Sequence, residues 1–225
     1  MTSTHGERPS KRLGNCDTGR VTATSERRAH LVRLAGDLFA DKGFRATTVR
    51  EIADAAGILS GSLYHHFDSK ESIGDEILSS FLNEVLADYR SAVEAGGNPR
   101  DVLERIVRSS TGTLGRHRAA LTMLQNDWSY FSSQPRFRYL RDALHEIEGI
   151  WITELERGKE SGIFRADLDA RLTYRLVRDI LWIPVHWQPS GGWSADDVVE
   201  AFLRLLFDGI ASPTGRRRAS ARRRT

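Results

Sequence analysis

The chain has 225 residues, of which 40% are hydrophobic and 28% charged, with a formal net charge of +3 and a single cysteine. That length suits one medium α domain or a small head on a larger body, and the composition supplies enough apolar material for a core. No apolar run approaches the ~20 residues of a membrane span, the N-terminus MTSTHGERPSKRLG lacks the apolar stretch of a secretory signal, and a lone Cys16 excludes an internal disulfide and suits a reducing cytoplasm.

Residues 1–24 are rich in Ser, Thr, Gly and charge without an apolar period, and are predicted to form a disordered arm. From Ser25, an expected N-cap, Leu31, Leu34, Ala35, Leu38 and Phe39 recur at helical spacing, and Gly43 is a natural stop. Thr48 and Glu51 have the spacing of a capping box ahead of a short second helix, which turns Val49, Ile52, Ala53 and Ala56 inward and ends at Gly57. A third helix opens at Ser60 and carries SGSLYHHF, burying Leu63 and Phe67. Asp68 and Ser69 are candidate caps for a longer fourth helix reaching about Tyr89.

Gly96, Gly97, Asn98 and Pro99 punctuate the next turn, after which helical periods resume over 100–114, 117–132, 136–161, 167–188 and 194–210. Strand-like alternation bounded by turns is missing from the sequence, so the expected fold class is all-α with about nine helices. The expected organisation is a disordered arm 1–24, a small helical head 25–72, a larger helical body 73–211 and a basic tail 212–225. Charge is segregated: the stretch 71–215 has sixteen basic against twenty-two acidic side chains, whereas residues 216–225 hold six arginines and no acid. Such a tail is either a solvated end or a sequence-blind aid to binding a polyanion.

The second and third helices are joined by Ala-Ala-Gly-Ile-Leu-Ser, the geometry of a helix-turn-helix. Small Ala53 and Ala56 allow close approach of the two helices, and Gly57 supplies a permissive backbone at the turn. With Leu63 and Phe67 as anchors, Ser60, Ser62, Tyr64 and His65 are left to donate to phosphates or base edges. Thr48, at a helix N-terminus, suits a phosphate, and Arg45 and Lys70 are placed to contact the DNA backbone as well. Pairs of short capped helices also occur in ordinary bundles, so spacing alone leaves both readings open.

Residues 46–70, ATTVREIADAAGILSGSLYHHFDSK, resemble the DNA-binding head of the TetR family, following the pattern T-v-r-e-I-A-x-x-A-G-[iv]-x-x-G-x-L-Y-x-H-F-x-x-K. Phe39 and Gly43-Phe44 fit the same pattern. The resemblance implies a TetR-like fold, with a three-helix head and a helical body. It also implies a cytoplasmic homodimeric regulator, usually a repressor, that places two heads on a palindromic double-stranded operator and binds a small-molecule effector in its body. Carried over by position, Thr48, Ser60, Ser62, Tyr64, His65 and Lys70 are the expected DNA contacts.

The last helix, ADDVVEAFLRLLFDGI, is apolar nearly all round. It is read either as a fully buried core helix or as one shared with a partner subunit, with Val199, Phe202, Leu203 and Leu206 expected at a dimer interface. In the helix over 167–188, Arg171, Arg175, Arg178, Trp182 and His186 follow helical spacing along one face, opposite Leu172, Leu176, Ile180 and Ile183, with Pro184 expected to kink it. The stripe suits an anionic, partly flat ligand, or else consists of surface arginines paired with acids such as Asp179. His117 and His145 read as ordinary polar positions, and no His or Cys pair has metal-ligand spacing.

The segments GILSGSLYHHFDSKES, SSQPRFRYL, GIFRADLD and RLVRDILW are similar to a family of actinobacterial repressors of cholesterol ring-degradation genes. That resemblance implies an effector that is the CoA thioester of a bicyclic steroid-breakdown intermediate, with Arg178 and Trp182 as ligand contacts. Arg175, His186 and Trp128 are further candidates, although His186 and the stretch MLQNDWSYF depart from the family. The other reading is a regulator of an efflux or fatty-acid operon that senses a lipophile without CoA. Glycine-rich phosphate loops, nucleophile elbows and paired catalytic carboxylates are missing from the sequence, so neither an enzyme nor a cofactor is expected.

Overall fold

The computed structural model describes residues 18–182 and 194–208, which form ten α-helices and one 3₁₀ turn, with no strand among the described residues. Helix α1 (Thr18–Lys42) begins well before Ser25, so the end of the arm predicted to be disordered is helical. Serines and threonines cost only tenths of a kcal/mol each in a helix, and a nucleated helix downstream lets the chain propagate through them. Its inner face, Leu31, Ala35 and Phe39, is fully buried.

Helix α2 (Val49–Ala55) starts on the predicted capping box: the Glu51 N–H donates to Thr48 Oγ1 at 3.2 Å and the Thr48 N–H returns to Glu51 Oε2 at 2.8 Å. Ile52 and Ala53 are buried, whereas Val49 and Ala56 are only half-buried. Gly57, at φ +65, makes the turn that only glycine takes without strain. Helix α3 is four residues long, Ser60–Leu63, shorter than predicted, because the chain then tightens: the His66 and Phe67 N–H groups both bond to Leu63 O, at 2.9 and 3.0 Å. The tightening brings Phe67 into the core beside Leu63.

Ser69, rather than Asp68, caps α4 (Lys70–Glu94), accepting the Ser72 N–H at 3.2 Å. This helix runs through residue 72, the expected boundary between head and body, and on past Tyr89, so one rigid element belongs to both parts. Its Gly74 is where Phe44 packs; a Cβ there would lie 2.9 Å from Phe44 Cε2.

Helix α5 (Pro99–Arg116) opens with Asn98 as cap and proline in its first turn. It packs with α4 and α8 (Tyr139–Glu160) around Leu82, Tyr89, Val102, Ile106, Ile147 and Trp151, and Tyr89 shares a buried 2.9 Å hydrogen bond with Ser110. The single helix predicted over 117–132 is two, α6 (Arg118–Asn126) and α7 (Trp128–Ser133), which raises the expected nine helices to ten. The break is at Asp127 (φ −117, ψ 19). His117, at the joint between α5 and α6, is half-buried with Nε2 2.7 Å from Glu84 Oε2.

Helix α9 (Ala170–Trp182) packs on α8 and α5 through Ala170, Tyr174 and Val177, and α10 (Ala195–Asp208) lies on α5. Phe207 of α10 stacks on Phe164 at 6.1 Å, and Phe164 in turn lies against Gly158 of α8 so closely that a Cβ there would meet its ring. Of the four expected dimer residues, the structure corrects two, Val199 and Leu203. Val199 and Leu203 are buried in the chain's own core, with Phe202 and Leu206 half-buried against it. The fully outward apolar side chains are Leu172, Leu176 and Ile180 of α9, with Leu205 of α10. A helix that is apolar nearly all round has no period by which a sequence can choose its inner side.

Candidate DNA-reading surface and effector cavity

The end of the recognition segment is held from outside. Arg28 of α1 donates to Glu76 Oε2 at 3.0 Å and to His66 O, with its guanidinium 4.1 Å from the centre of the Phe67 ring. At the start of α2, Lys42 bonds Glu51 at 2.9 Å. That ammonium, followed by the Thr48 backbone N–H and hydroxyl, pushes the Glu51 carboxyl down to about 2. With α2 and α3 fixed in this way, Arg45, Thr48, Tyr64 and His65 stand exposed, while Ser60 and Ser62 are half-buried. The Thr48 hydroxyl is engaged with Glu51, which it both accepts from and donates to.

Lys70 differs from the expectation. Its ammonium donates to Phe44 O and Thr47 O, both at 2.8 Å, and reaches Arg45 O at 3.4 Å. An ammonium has three hydrogens, and here each has a carbonyl, so in the free protein Lys70 fastens the loop before α2 rather than presenting a cation. Burial lowers its pKa. Helical spacing does not single out Leu59, which stands 80% exposed at the start of α3.

In the body, a cavity of about 460 Å³ is lined by Leu124, Trp128, Arg141, Leu144, Tyr174 and Arg178, together with His145 and Glu148. A second, of about 350 Å³, shares Trp128 and Arg141 and continues to Arg138, Ser132, Ser133 and Phe137. The structure thus brings together Trp128 and Arg178 of the expected ligand set and leaves Arg175 exposed outside the cavity lining. The Trp182 side chain and His186 lie outside the described residues, as does the predicted Pro184 kink. Sequence reasoning missed Arg141 and Tyr174: the first sits on a helix that spacing leaves unremarkable, and the second falls between two stripes that drew attention.

Arg178 donates to Asp179 Oδ1 at 2.9 and 2.7 Å, the pairing weighed from the sequence, and lies 5.8 Å from the Tyr174 ring centre. Burial raises the Tyr174 pKa, which keeps that phenol neutral. Phe131 is buried in the core, and Tyr130 donates to Glu71 Oε1 at 2.9 Å. Among the described residues no cluster of three or more His, Cys, Asp or Glu is placed to hold a metal, and no helix is long and apolar enough to cross a membrane.

Residues 31–77 match the bacterial regulatory proteins of the tetR family, and residues 96–210 the tetracyclin repressor-like C-terminal domain. The chain is 44% identical to the HTH-type transcriptional repressor KstR2 of Rhodococcus jostii (strain RHA1), over 86% of this chain and 95% of that protein. It superposes on the ketosteroid transcriptional regulator KstR2 of Mycobacterium tuberculosis with a TM-score of 0.77 at 42% identity, covering 83% of this chain and 95% of the other. With AibR, whose structure contains isovaleryl coenzyme A and operator DNA, it shares the fold alone, at a TM-score of 0.70 and 18% identity over 80% of this chain and 98% of the other. With its head and body both matched, and with relatives that are transcriptional repressors, the chain belongs to the tetR family of bacterial regulatory proteins.

Proposed function

We propose that this protein is a cytoplasmic homodimeric repressor that leaves a palindromic operator when an acyl-CoA thioester, derived from steroid breakdown, occupies its body. The observation that carries the effector reading is the pair of adjoining cavities. Leu124, Leu144, Trp128 and Tyr174 offer an apolar, aromatic wall for a fused-ring acyl group, while Arg141, Arg178 and Arg138 offer forks for carbonyl and phosphate oxygens. The likeness to the KstR2 repressors supports the steroid origin. The outward apolar stripe of α9, with Leu176 58% exposed, supports a dimer formed through α9 and α10.

The head neutralises phosphates through Arg45 and reads bases through Ser62 and His65, with Thr48, Ser60 and Tyr64 adding backbone contacts. The effector acts by binding one arrangement of body and heads better than the operator-bound one. A coupling of about 1–3 kcal/mol changes operator occupancy roughly 5- to 150-fold. Native mass spectrometry of the dimer, paired with operator mobility shifts, tests the reading. CoA thioesters of steroid-derived acids are expected to bind and release DNA, whereas free CoA and long-chain fatty acids are not. Release by the fatty acid and not by the thioesters would replace this effector with a lipophile lacking CoA.

A further inference from the structure

We propose that Leu59 reads the 5-methyl group of a thymine in the operator's major groove, a base contact beyond the hydroxyls and imidazole named above. Ile58 and Leu59 are neighbours in the turn with opposite fates. Ile58 packs against the core, and its N–H bonds to Ala53 O at 3.0 Å. Leu59 occupies the N-cap of α3 in extended conformation, φ −71 and ψ 144, and is 80% exposed. Among the described residues of the head, the exposed large hydrophobics are Leu59 and Tyr64, and both belong to the segment that a helix-turn-helix puts into a groove.

The position also breaks a local rule. Ser, Thr, Asp and Asn are favoured at an N-cap because their oxygens satisfy an orphan helical N–H, and α2 and α4 of this chain both use that device. Helix α3 has no side-chain cap hydrogen bond, and a leucine cannot make one. Breaks of local rules are expected at functional or strained sites, and α6, α7 and α8 also start without a side-chain cap hydrogen bond, so the exposure of Leu59 in the groove-facing segment is what singles it out. Leucine has no donor for a phosphate and no partner for a base amide or carbonyl. The C5-methyl of thymine is the one methyl group on the floor of the major groove, and the N-terminal residues of a recognition helix are those that reach base edges.

The test uses the full chain. Duplexes bound by the protein are selected from a random-sequence pool, and each thymine of the selected duplex is replaced by dU, which removes the methyl and leaves every hydrogen-bonding group. Affinities are measured for wild type, Leu59→Ala and Leu59→Met. One dT→dU change in each of the two half-sites is expected to weaken wild type about fifteenfold, about fourfold for each buried methyl. Leu59→Ala should lose the same amount on the thymine duplex and become indifferent to that methyl, and Leu59→Met should keep part of the response. Since the side chain is exposed, the thermal midpoint of Leu59→Ala should stay at the wild-type value. The proposal is overturned if Leu59→Ala feels every methyl as wild type does, or if no methyl matters to wild type. A pool that yields no enriched sequence would overturn the DNA-reading assignment of the head and the role of Leu59 with it, an outcome distinct from the first two.

Discussion

The Asp127 carboxylate accepts the backbone N–H of Phe44 at 3.1 Å, a contact between residues 83 apart in the chain. Asp127 is the break between α6 and α7, and the next residue, Trp128, lines both cavities of the body. Phe44 opens the loop that leads into the helix-turn-helix. This hydrogen bond therefore joins the wall of the proposed effector site to the backbone of the head. Asp127→Ala is expected to cost about 2 kcal/mol, the range for a hydrogen bond to a charged group, and to blunt effector-driven release of DNA. Asp127→Asn keeps an acceptor and should recover most of both. Denaturant unfolding and effector-titrated mobility shifts check this; an alanine variant with wild-type stability and response would sever the link.

Lys70→Met leaves Phe44 O and Thr47 O without their donor. The expected loss is about 1–3 kcal/mol in melts without DNA. A side chain that served only as a phosphate contact would leave the melt unchanged and reduce the salt slope of operator binding by about one. The two measurements together separate a fastener from a contact.

Leu176→Glu, in the middle of the outward stripe of α9, is expected to give monomers that keep their helical content and lose the operator. Sedimentation velocity and circular dichroism read the two effects. Val199→Glu, by contrast, places a charge in the chain's own core and should unfold the subunit. A Leu176→Glu protein that stays dimeric would mean that another face forms the contact.

Acid should loosen the start of α2. The Glu51 carboxyl, ordinarily at 4.5, is held down to about 2 in the folded head, so its contribution is complete above 4.5 and is lost as pH falls toward 2. Wild type should melt above Glu51→Gln at neutral pH, and the difference should shrink across that window. A gap that persists to pH 2 would assign the effect to shape rather than charge.

Local chemistry that depends on neighbours in the chain was legible in the sequence. The capping box of Thr48 and Glu51, the Gly57 turn, and the anchors Leu63 and Phe67 follow from spacing, whereas the family was legible only in the resemblance of the string 46–70 that contains them. What depended on distant partners was not. Nothing near Asp127 announces that its carboxylate is needed by Phe44, so a continuous helical period concealed the break. In α9 the stripes offered by spacing were Leu172, Leu176 and Ile180 and the arginines, yet the inner face is Ala170, Tyr174 and Val177. A helix with two apolar sides reads alike from either. Lys70 matched its family position, but its hydrogen bonds run to carbonyls 23 to 26 residues upstream, which no local window contains.

The ring of Phe44 lies 4.8 Å from both Phe39 and Phe131 and 5.6 Å from Tyr130, with no room for even a methyl between it and Gly74. Helices α1, α4 and α7 thus converge on one side chain packed too tightly to slide. Interiors of that density exchange one arrangement for another instead of deforming by degrees. The protein should accordingly behave as a toggle, and partial saturation by effector should yield a mixture of gripping and released molecules rather than a uniformly weakened hold.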